Sequence, residues 1–273
     1  MKIVRYRTTA EAAARMGVLI GDDIQEVRSH EPADLMSPEF TGVVTPLAGA
    51  QVLAPVPLPG KLICIGLNYR DHAAEAGLPV PTVPLIFTKF PTAVIGPGET
   101  VRIPAQVTKP DWEAELGVVI GRAGSSITVE RALDHVLGYT CINDVSARDV
   151  QSSETQWVRA KSFDTFAPMG PCITTTEEIP DPQSLGIRCW IGGDLVQNSS
   201  TAQMVFSVAE VIEFVSRNVT LMPGDVIATG TPPGVGVGMN PARFLRDGDE
   251  MVVEIDGIGR LSNPVSHKVG ETP

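Results

Sequence analysis

Asp111-Trp112-Glu113-Ala114-Glu115-Leu116-Gly117-Val118-Val119-Ile120 is the stretch from which the fold and the chemistry of this chain can both be read. A side-chain period of two sends Glu113 and Glu115 to one face of a strand and Trp112, Ala114, Leu116, Val118 and Ile120 to the other. The apolar face is core. Two like charges about 7 Å apart along the strand stand beside that hydrophobic wall, and something must offset their repulsion. A solvated sheet edge would do so. A hard divalent cation would also do so, because Mg²⁺, Mn²⁺ and Ca²⁺ prefer carboxylate oxygens. The next apolar run, residues 138–143, reads as an interior strand that ends at Asp144. Asp144 is either a simple turn former or a third oxygen ligand. Ser146-Ala147-Arg148-Asp149 after it fits a helix-capping box. With no His or Cys in the group, zinc is disfavoured.

Outward from this stretch the same texture repeats. LICIG, PLIFTKF, GYTCIND, DVIATGTP and DEMVVEIDGIGRLS are short apolar runs separated by Gly and Pro, whereas VAEVIEFVSRN carries its apolar residues at helical spacing. The expected class is therefore α+β and β-rich. Residues 1–58 read as a small N-terminal α/β appendage with a strand-like MKIVRYR and a helix-prone TAEAAARM. Pro55, Pro57 and Pro59 stiffen the connection, and a catalytic domain is expected over 59–273.

Composition excludes several classes of function. A net charge of −11 and a pI near 4.8 make nucleic-acid phosphates poor partners. Cys64, Cys141, Cys172 and Cys189 form no Cys-x-x-Cys pair and read as core residues in a reducing compartment. No apolar run approaches the ~20 residues that cross a bilayer, and no leader-like start is visible. A cytoplasmic protein without membrane partners is expected.

A second chemical candidate is Asn68-Tyr69-Arg70-Asp71-His72-Ala73-Ala74-Glu75-Ala76-Gly77. Three residues apart on a helix, His72 and Glu75 share a face, so the carboxylate can orient the imidazole and raise its basicity. The pair could equally be a solvated i,i+3 contact. Gly77 and the prolines of LPVPTVP suggest a structured loop able to close over a site. The Gly-rich GTPPGVGVGMNP lacks Gly-Lys-Ser/Thr and opens no helix, so it is neither a phosphate loop nor a dinucleotide turn. It reads as a loop that needs flexible backbone.

Over residues 59–265 the chain resembles the fumarylacetoacetate hydrolase superfamily, in particular its short members with one catalytic domain. The shared marks, in order, are IGLNYRDHAAE, WEAELGVVIG, INDVSARDVQ, AKSFDTFAPMGP and MPGDVIATGTPPGVG. The resemblance implies a mixed β-sandwich roll, a homodimer and a small keto-acid substrate. It implies that Glu113, Glu115 and Asp144 hold Mg²⁺ or Mn²⁺, and that His72 and Glu75 activate water from a lid. By the same likeness Lys161 stabilises oxyanion charge, Arg148 and Gln151 touch substrate from one helix face, and Gly230 and Thr231 receive a substrate carboxylate. Taken by themselves, Lys161 could be a surface charge, and Arg148 and Gln151 could simply decorate a helix. The longer tyrosine-catabolic enzyme carries a further carboxylate ligand ahead of its His, and ICIGLNY offers none.

These parts predict hydrolysis of a C–C bond in a β-diketo acid of the acylpyruvate or diketo sugar-acid type, through a metal-stabilised enolate. Oxaloacetate decarboxylation and 2-hydroxyhepta-2,4-diene-1,7-dioate isomerisation use the same enolate and remain alternatives. A metal-stabilised binding or scaffold protein is the non-enzymatic alternative, and it has no evident use for His72 and Lys161 together.

Overall fold

The computed structural model describes residues 1–10 and 12–267. Its main element is a twelve-stranded mixed sheet. Along the sheet run the strands Phe40–Pro46, Asp23–Val27, Arg15–Ile20, Lys2–Arg7, Ala167–Thr175, Val136–Asn143, Ala114–Ile120, Val226–Ala228, Leu62–Gly66 and Leu85–Lys89. The N-terminal strands thus continue the sheet of the catalytic portion, with Lys2 opposite Thr174. A second sheet of five strands, including Gly186–Ile191, Glu250–Ile255 and Gly259–His267, packs against the first. The architecture is the strand-rich α+β sandwich expected from the alternation of short apolar runs.

Strand parity distributes the core. Leu116, Val118, Ile120, Ile63, Ile65 and Tyr139 point between the sheets and meet Ile187, Val253, Ile255 and Leu261. Val119, Leu62, Cys64, Val226 and Ala228 point to the opposite face, where Ile3, Met16 and Val18 join them. Glu115 shares the parity of Val119, so its carboxylate lies on this second face. Ala114–Ile120 is bonded on both sides, antiparallel to Val136–Asn143 and to Val226–Ala228. The solvated-edge account of Glu113 and Glu115 therefore does not hold: the strand is interior with every one of its residues buried, and Glu113 just ahead of it is buried too.

Among the few helices, Val208–Ser216 is the amphipathic one expected, and Ser207 with Glu210 forms its capping box. Two local expectations fail. Of the helix-prone TAEAAARM, Glu11 lies outside the described residues, the residues before it form a turn, and Arg15 and Met16 already belong to a strand. Pairing of Arg15–Ile20 with both neighbouring strands overrides the local alanine preference. The capping box at Ser146–Asp149 is also absent. Ser146 is held in a short strand opposite Asp111, its hydroxyl donates to the Asp144 carbonyl, and the helix Arg148–Ser153 has no side-chain cap.

Candidate active site

Backbone pairing brings the three carboxylates together. The Asp144 amide donates to the Glu113 carbonyl (2.8 Å), which sets the strand end of Val136–Asn143 beside the start of the carboxylate strand. Asn143 Oδ1 accepts from the Glu113 amide (3.0 Å) and fixes the same junction. Glu113, Glu115 and Asp144 each offer an oxygen within 4.8 Å of the other two, and all three are buried.

Basic side chains neutralise part of this charge. Lys161 Nζ donates to Glu113 Oε2 (2.6 Å) and Asp144 Oδ2 (2.9 Å). Lys89 Nζ reaches Asp144 Oδ1 (2.5 Å) and the Val145 carbonyl (3.1 Å). Arg148 Nε donates to Asp111 Oδ2 (2.8 Å), while its Nη2 lies 2.7 Å from Glu113 Oε1 but out of line for a hydrogen bond. Four buried carboxylates, Asp111, Glu113, Glu115 and Asp144, thus face three cations, Lys89, Lys161 and Arg148. Glu115 is the one without a basic partner among the described residues, and its Oε2 accepts only the Gly230 amide (2.8 Å).

The titration behaviour follows from this arrangement. Burial pushes the Glu113 carboxyl up, but Lys161 and Arg148 outweigh it and hold it at about 2. Burial raises the Glu115 carboxyl well above the usual range, and the Asp144 and Glu113 charges raise it further. Burial alone would lower the Lys161 pKa, yet Asp144 and Glu113 keep that ammonium above its ordinary value. A buried carboxylate that cannot ionise comfortably beside two others, all with oxygen donors converging, fits a hard divalent cation. Glu113, Glu115 and Asp144 are the residues that would hold it.

The His72–Glu75 pair stands on the short helix Arg70–Glu75. Asn68 ties the approach to this helix by donating to the Phe206 and Thr229 carbonyls (3.1 and 2.8 Å), and Arg70 donates to the Met204 carbonyl. Gly77, at φ +64°, ends it, with the Leu78 amide returning to the Ala73 carbonyl. His72 Nδ1 lies 3.0 Å from Glu75 Oε2, so Nδ1–H donates and Nε2 is left as the acceptor. The turn at 234–236 links the pair to the acidic cluster, since the Gly234 amide donates to Glu75 Oε1 (2.8 Å) and the Gly236 amide to Asp111 Oδ1 (2.7 Å).

The turn after Val226–Ala228 closes the site from a third side. The Gly230 amide is engaged by Glu115, and the Thr231 hydroxyl donates to the Ala114 carbonyl (2.9 Å) and accepts from Gln197 Nε2 (2.9 Å). Gln151 Oε1 accepts from Arg148 Nη1 (3.0 Å). The glycines here serve close approach rather than the flexibility expected of GTPPGVGVGMNP. A Cβ on Gly234 would lie 1.9 Å from the Val196 carbonyl oxygen, and one on Gly236 would lie 1.9 Å from that of Arg243.

Two buried charged residues of the site, Lys89 and Asp111, have no role in the sequence reading. For Asp111 a signal existed, since the period of two that pairs Glu113 with Glu115 also includes it. The strand breaks between Asp111 and Ala114, however, so Asp111 faces Arg148 and the turn at 236–237 instead. Nothing local distinguishes Lys89, at the end of PLIFTK, from an ordinary strand-end lysine.

A mixed-sheet enzyme fold, with a buried acidic triad suited to a divalent cation and a carboxylate-oriented histidine beside it, is the class these features define. The family described as "Fumarylacetoacetate (FAA) hydrolase C-terminal" matches residues 61–266, and "Rv2993c-like, N-terminal" matches residues 1–55. The chain belongs to the fumarylacetoacetate hydrolase family and is an enzyme of it. It is 43% identical over 287 residues to a protein of Xenopus laevis named oxaloacetate tautomerase fahd2, mitochondrial, covering 97% of this chain and 90% of that one. Among solved structures it is similar to a 2-hydroxyhepta-2,4-diene-1,7-dioate isomerase from Mycobacterium marinum (37% identity, TM-score 0.86, 99% of this chain and 100% of that one). It is also similar to a 5-carboxymethyl-2-hydroxymuconate delta-isomerase from Mycobacterium smegmatis (38%, TM-score 0.87, 98% and 100%). No helix among the described residues is long and apolar enough to cross a membrane.

Proposed function

We propose that the protein is a keto–enol tautomerase for small 2-oxo dicarboxylates of the oxaloacetate class, with Mg²⁺ or Mn²⁺ held by Glu113, Glu115 and Asp144. The observation that carries it is a Glu75-oriented histidine base set beside the buried triad, in a chain so similar to an oxaloacetate tautomerase. A bound divalent ion supplies a Lewis acid that polarises the 2-oxo group. In the keto-to-enol direction His72 Nε2 takes the proton from the carbon beside that group and delivers it to the oxygen, and in the reverse direction it carries the proton from oxygen to carbon, while Glu75 holds the ring and steadies its charged form. Proton transfer of this kind needs no water. Lys161, kept cationic between Glu113 and Asp144, lends positive charge to the developing oxyanion.

Arg148 and Gln151 are the proposed contacts for substrate carboxylates, whereas the Gly230 amide and the Thr231 hydroxyl, expected in the same role, are engaged by Glu115 and by Ala114 and Gln197. Arg148 Nη2 supports this role, because it is a buried donor with no aligned acceptor. C–C hydrolysis, the leading expectation from sequence, becomes the second reading. It is favoured by the same His72–Glu75 pair, which could deprotonate water instead of carbon. Oxaloacetate decarboxylation and dienedioate isomerisation draw on the same site.

A direct test follows the ultraviolet absorbance of enol oxaloacetate with Mg²⁺ and Mn²⁺, alongside an acylpyruvate, while assaying CO₂ and pyruvate release. Accelerated enol–keto interconversion without CO₂ supports tautomerisation. Pyruvate release from the acylpyruvate with no accelerated interconversion would replace it by hydrolysis.

A homodimer is part of the proposal. Leu85–Lys89 is an edge strand of the large sheet, and it and its flanks expose Leu78, Val80, Val83, Leu85, Ile86 and Phe90. An apolar edge of this kind is normally covered. A cytoplasmic location, proposed on the composition, is checked by cell fractionation, since the Xenopus relative is named mitochondrial.

A further inference from the structure

We infer that Asp111 is a positioning residue that couples the acidic triad to the His72–Glu75 base; its catalytic consequence rests on the proposed function, while its structural consequence does not. Asp111 is completely buried and receives four donors on one carboxylate. Oδ1 accepts from the amides of Trp112 (2.9 Å) and Gly236 (2.7 Å), and Oδ2 from the Val237 amide (3.0 Å) and Arg148 Nε (2.8 Å). Two arms leave this point.

One arm runs through Arg148 to Glu113, whose Oε1 lies 2.7 Å from Nη2. The other runs through the turn at 234–238. The Gly234 amide donates to Glu75 Oε1 (2.8 Å), the oxygen of Glu75 not taken by His72. The Gly234 carbonyl is held by Trp112 Nε1 (3.0 Å), next in sequence to Asp111. The Gly238 backbone lies beneath the Glu75 carboxylate so closely that a Cβ there would come within 3.0 Å of Glu75 Cδ. The same turn begins at Gly230, whose amide holds Glu115. One buried carboxylate thus fixes both the seat of Glu75 and the orientation of a triad oxygen.

Asparagine at this position keeps the shape but turns an NH₂ towards backbone N–H donors, and an amide oxygen cannot serve four of them. Arg148, relieved of Asp111, would lean on Glu113 and compete with a cation for it. Partners of this kind behind a metal site typically matter by about 10- to 100-fold in affinity or activity. The test compares wild type, Asp111→Asn and Gly238→Ala by Mn²⁺ calorimetry, by hydrogen exchange and by oxaloacetate interconversion at saturating Mn²⁺.

Asp111→Asn should weaken Mn²⁺ about tenfold and lower kcat at least as much. It should also speed exchange in residues 229–238 while leaving the strand Ala167–Thr175 unchanged. Gly238→Ala should lower kcat alone. Unchanged Mn²⁺ affinity and unchanged exchange in Asp111→Asn would overturn the inference, as would a general rise in exchange that includes Ala167–Thr175. Should Asp111→Asn fail to fold, Arg148→Gln tests the first arm by Mn²⁺ affinity and Gly238→Ala the second by kcat. An unchanged value in either one overturns it. A wild-type chain that binds Mn²⁺ but leaves oxaloacetate untouched removes the proposed function, and the Mn²⁺ and exchange readouts still decide the role of Asp111.

Discussion

Replacing Lys89 with methionine should expose how much the metal-free site depends on its own cations. Lys89 Nζ has no exposure to solvent and sits 2.5 Å from Asp144 Oδ1 and 3.1 Å from the Val145 carbonyl. Methionine approximates its length and apolar stem without the charge. Removing one partner of a buried ion pair costs 3–5 kcal/mol in general, and because Asp144 keeps Lys161 the loss here belongs at the lower end, about 3 kcal/mol. The Val145 carbonyl loses its donor as well, for ~1 kcal/mol more. At roughly 2 °C per kcal/mol for a chain of this size, the metal-free Tm should fall by about 8 °C. Saturating Mn²⁺ should return most of that loss, because the cation then takes over the compensation of Asp144. Thermal denaturation of both proteins in EDTA and in Mn²⁺ reads the two differences. A metal-free Tm within about 2 °C of wild type, under 1 kcal/mol on the same scale, would refute the view that Lys89 compensates a buried charge.

His72→Ala should reduce turnover at least ~100-fold, the scale of a general base, while Mn²⁺ affinity measured by calorimetry stays essentially unchanged. Metal-free stability should depend on pH in two opposed ways. The Glu113 carboxyl, held at about 2, contributes stability that is complete above its unfolded value of 4.5 and is lost as pH falls between the two. The Glu115 carboxyl, raised by burial and by its acidic neighbours, binds its proton more tightly when folded, so its effect is a loss of stability as pH rises above 4.5. Denaturant titrations in EDTA should therefore show stability declining towards neutral pH, and Glu115→Gln should flatten that decline and abolish Mn²⁺ binding. Ile86→Lys, placing a charge on the exposed edge strand, should shift light-scattering mass from dimer to monomer, and an unchanged mass would remove this edge from the interface.

Much of the fold was legible in the sequence because it rests on period and punctuation. Parity along residues 112–120 assigned both faces of the central strand, and the helical spacing of VAEVIEFVSRN identified the capped helix Val208–Ser216. Glu113 and Glu115, two apart at the central strand, and His72 and Glu75, three apart on a helix, were legible for the same reason, and Asp144 as the residue ending the next apolar run. What stayed hidden depends on distant partners. Whether Glu115 faces water or protein is decided by pairing with Val226–Ala228, more than a hundred residues later. Lys89 acquires its role only through Asp144, and the turn glycines only through the carbonyls of Val196 and Arg243. TAEAAARM misled because alanine preference is weak against two neighbouring strands.

The central strand carries a consequence for how this scaffold can be altered. Glu115 rides on backbone bonded along both flanks, so it has no freedom to follow a ligand of a different size. Adaptation to a longer or bulkier acid must come from outside this strand. After the six-residue helix Arg70–Glu75 the chain is less constrained, since Leu78, Val80 and Val83 are exposed, although Pro84 is buried. Randomising residues 78–83, which include part of the proposed dimer edge, is thus the way to vary this segment while Glu113, Glu115 and Asp144 stay in register, with light-scattering mass followed beside substrate preference.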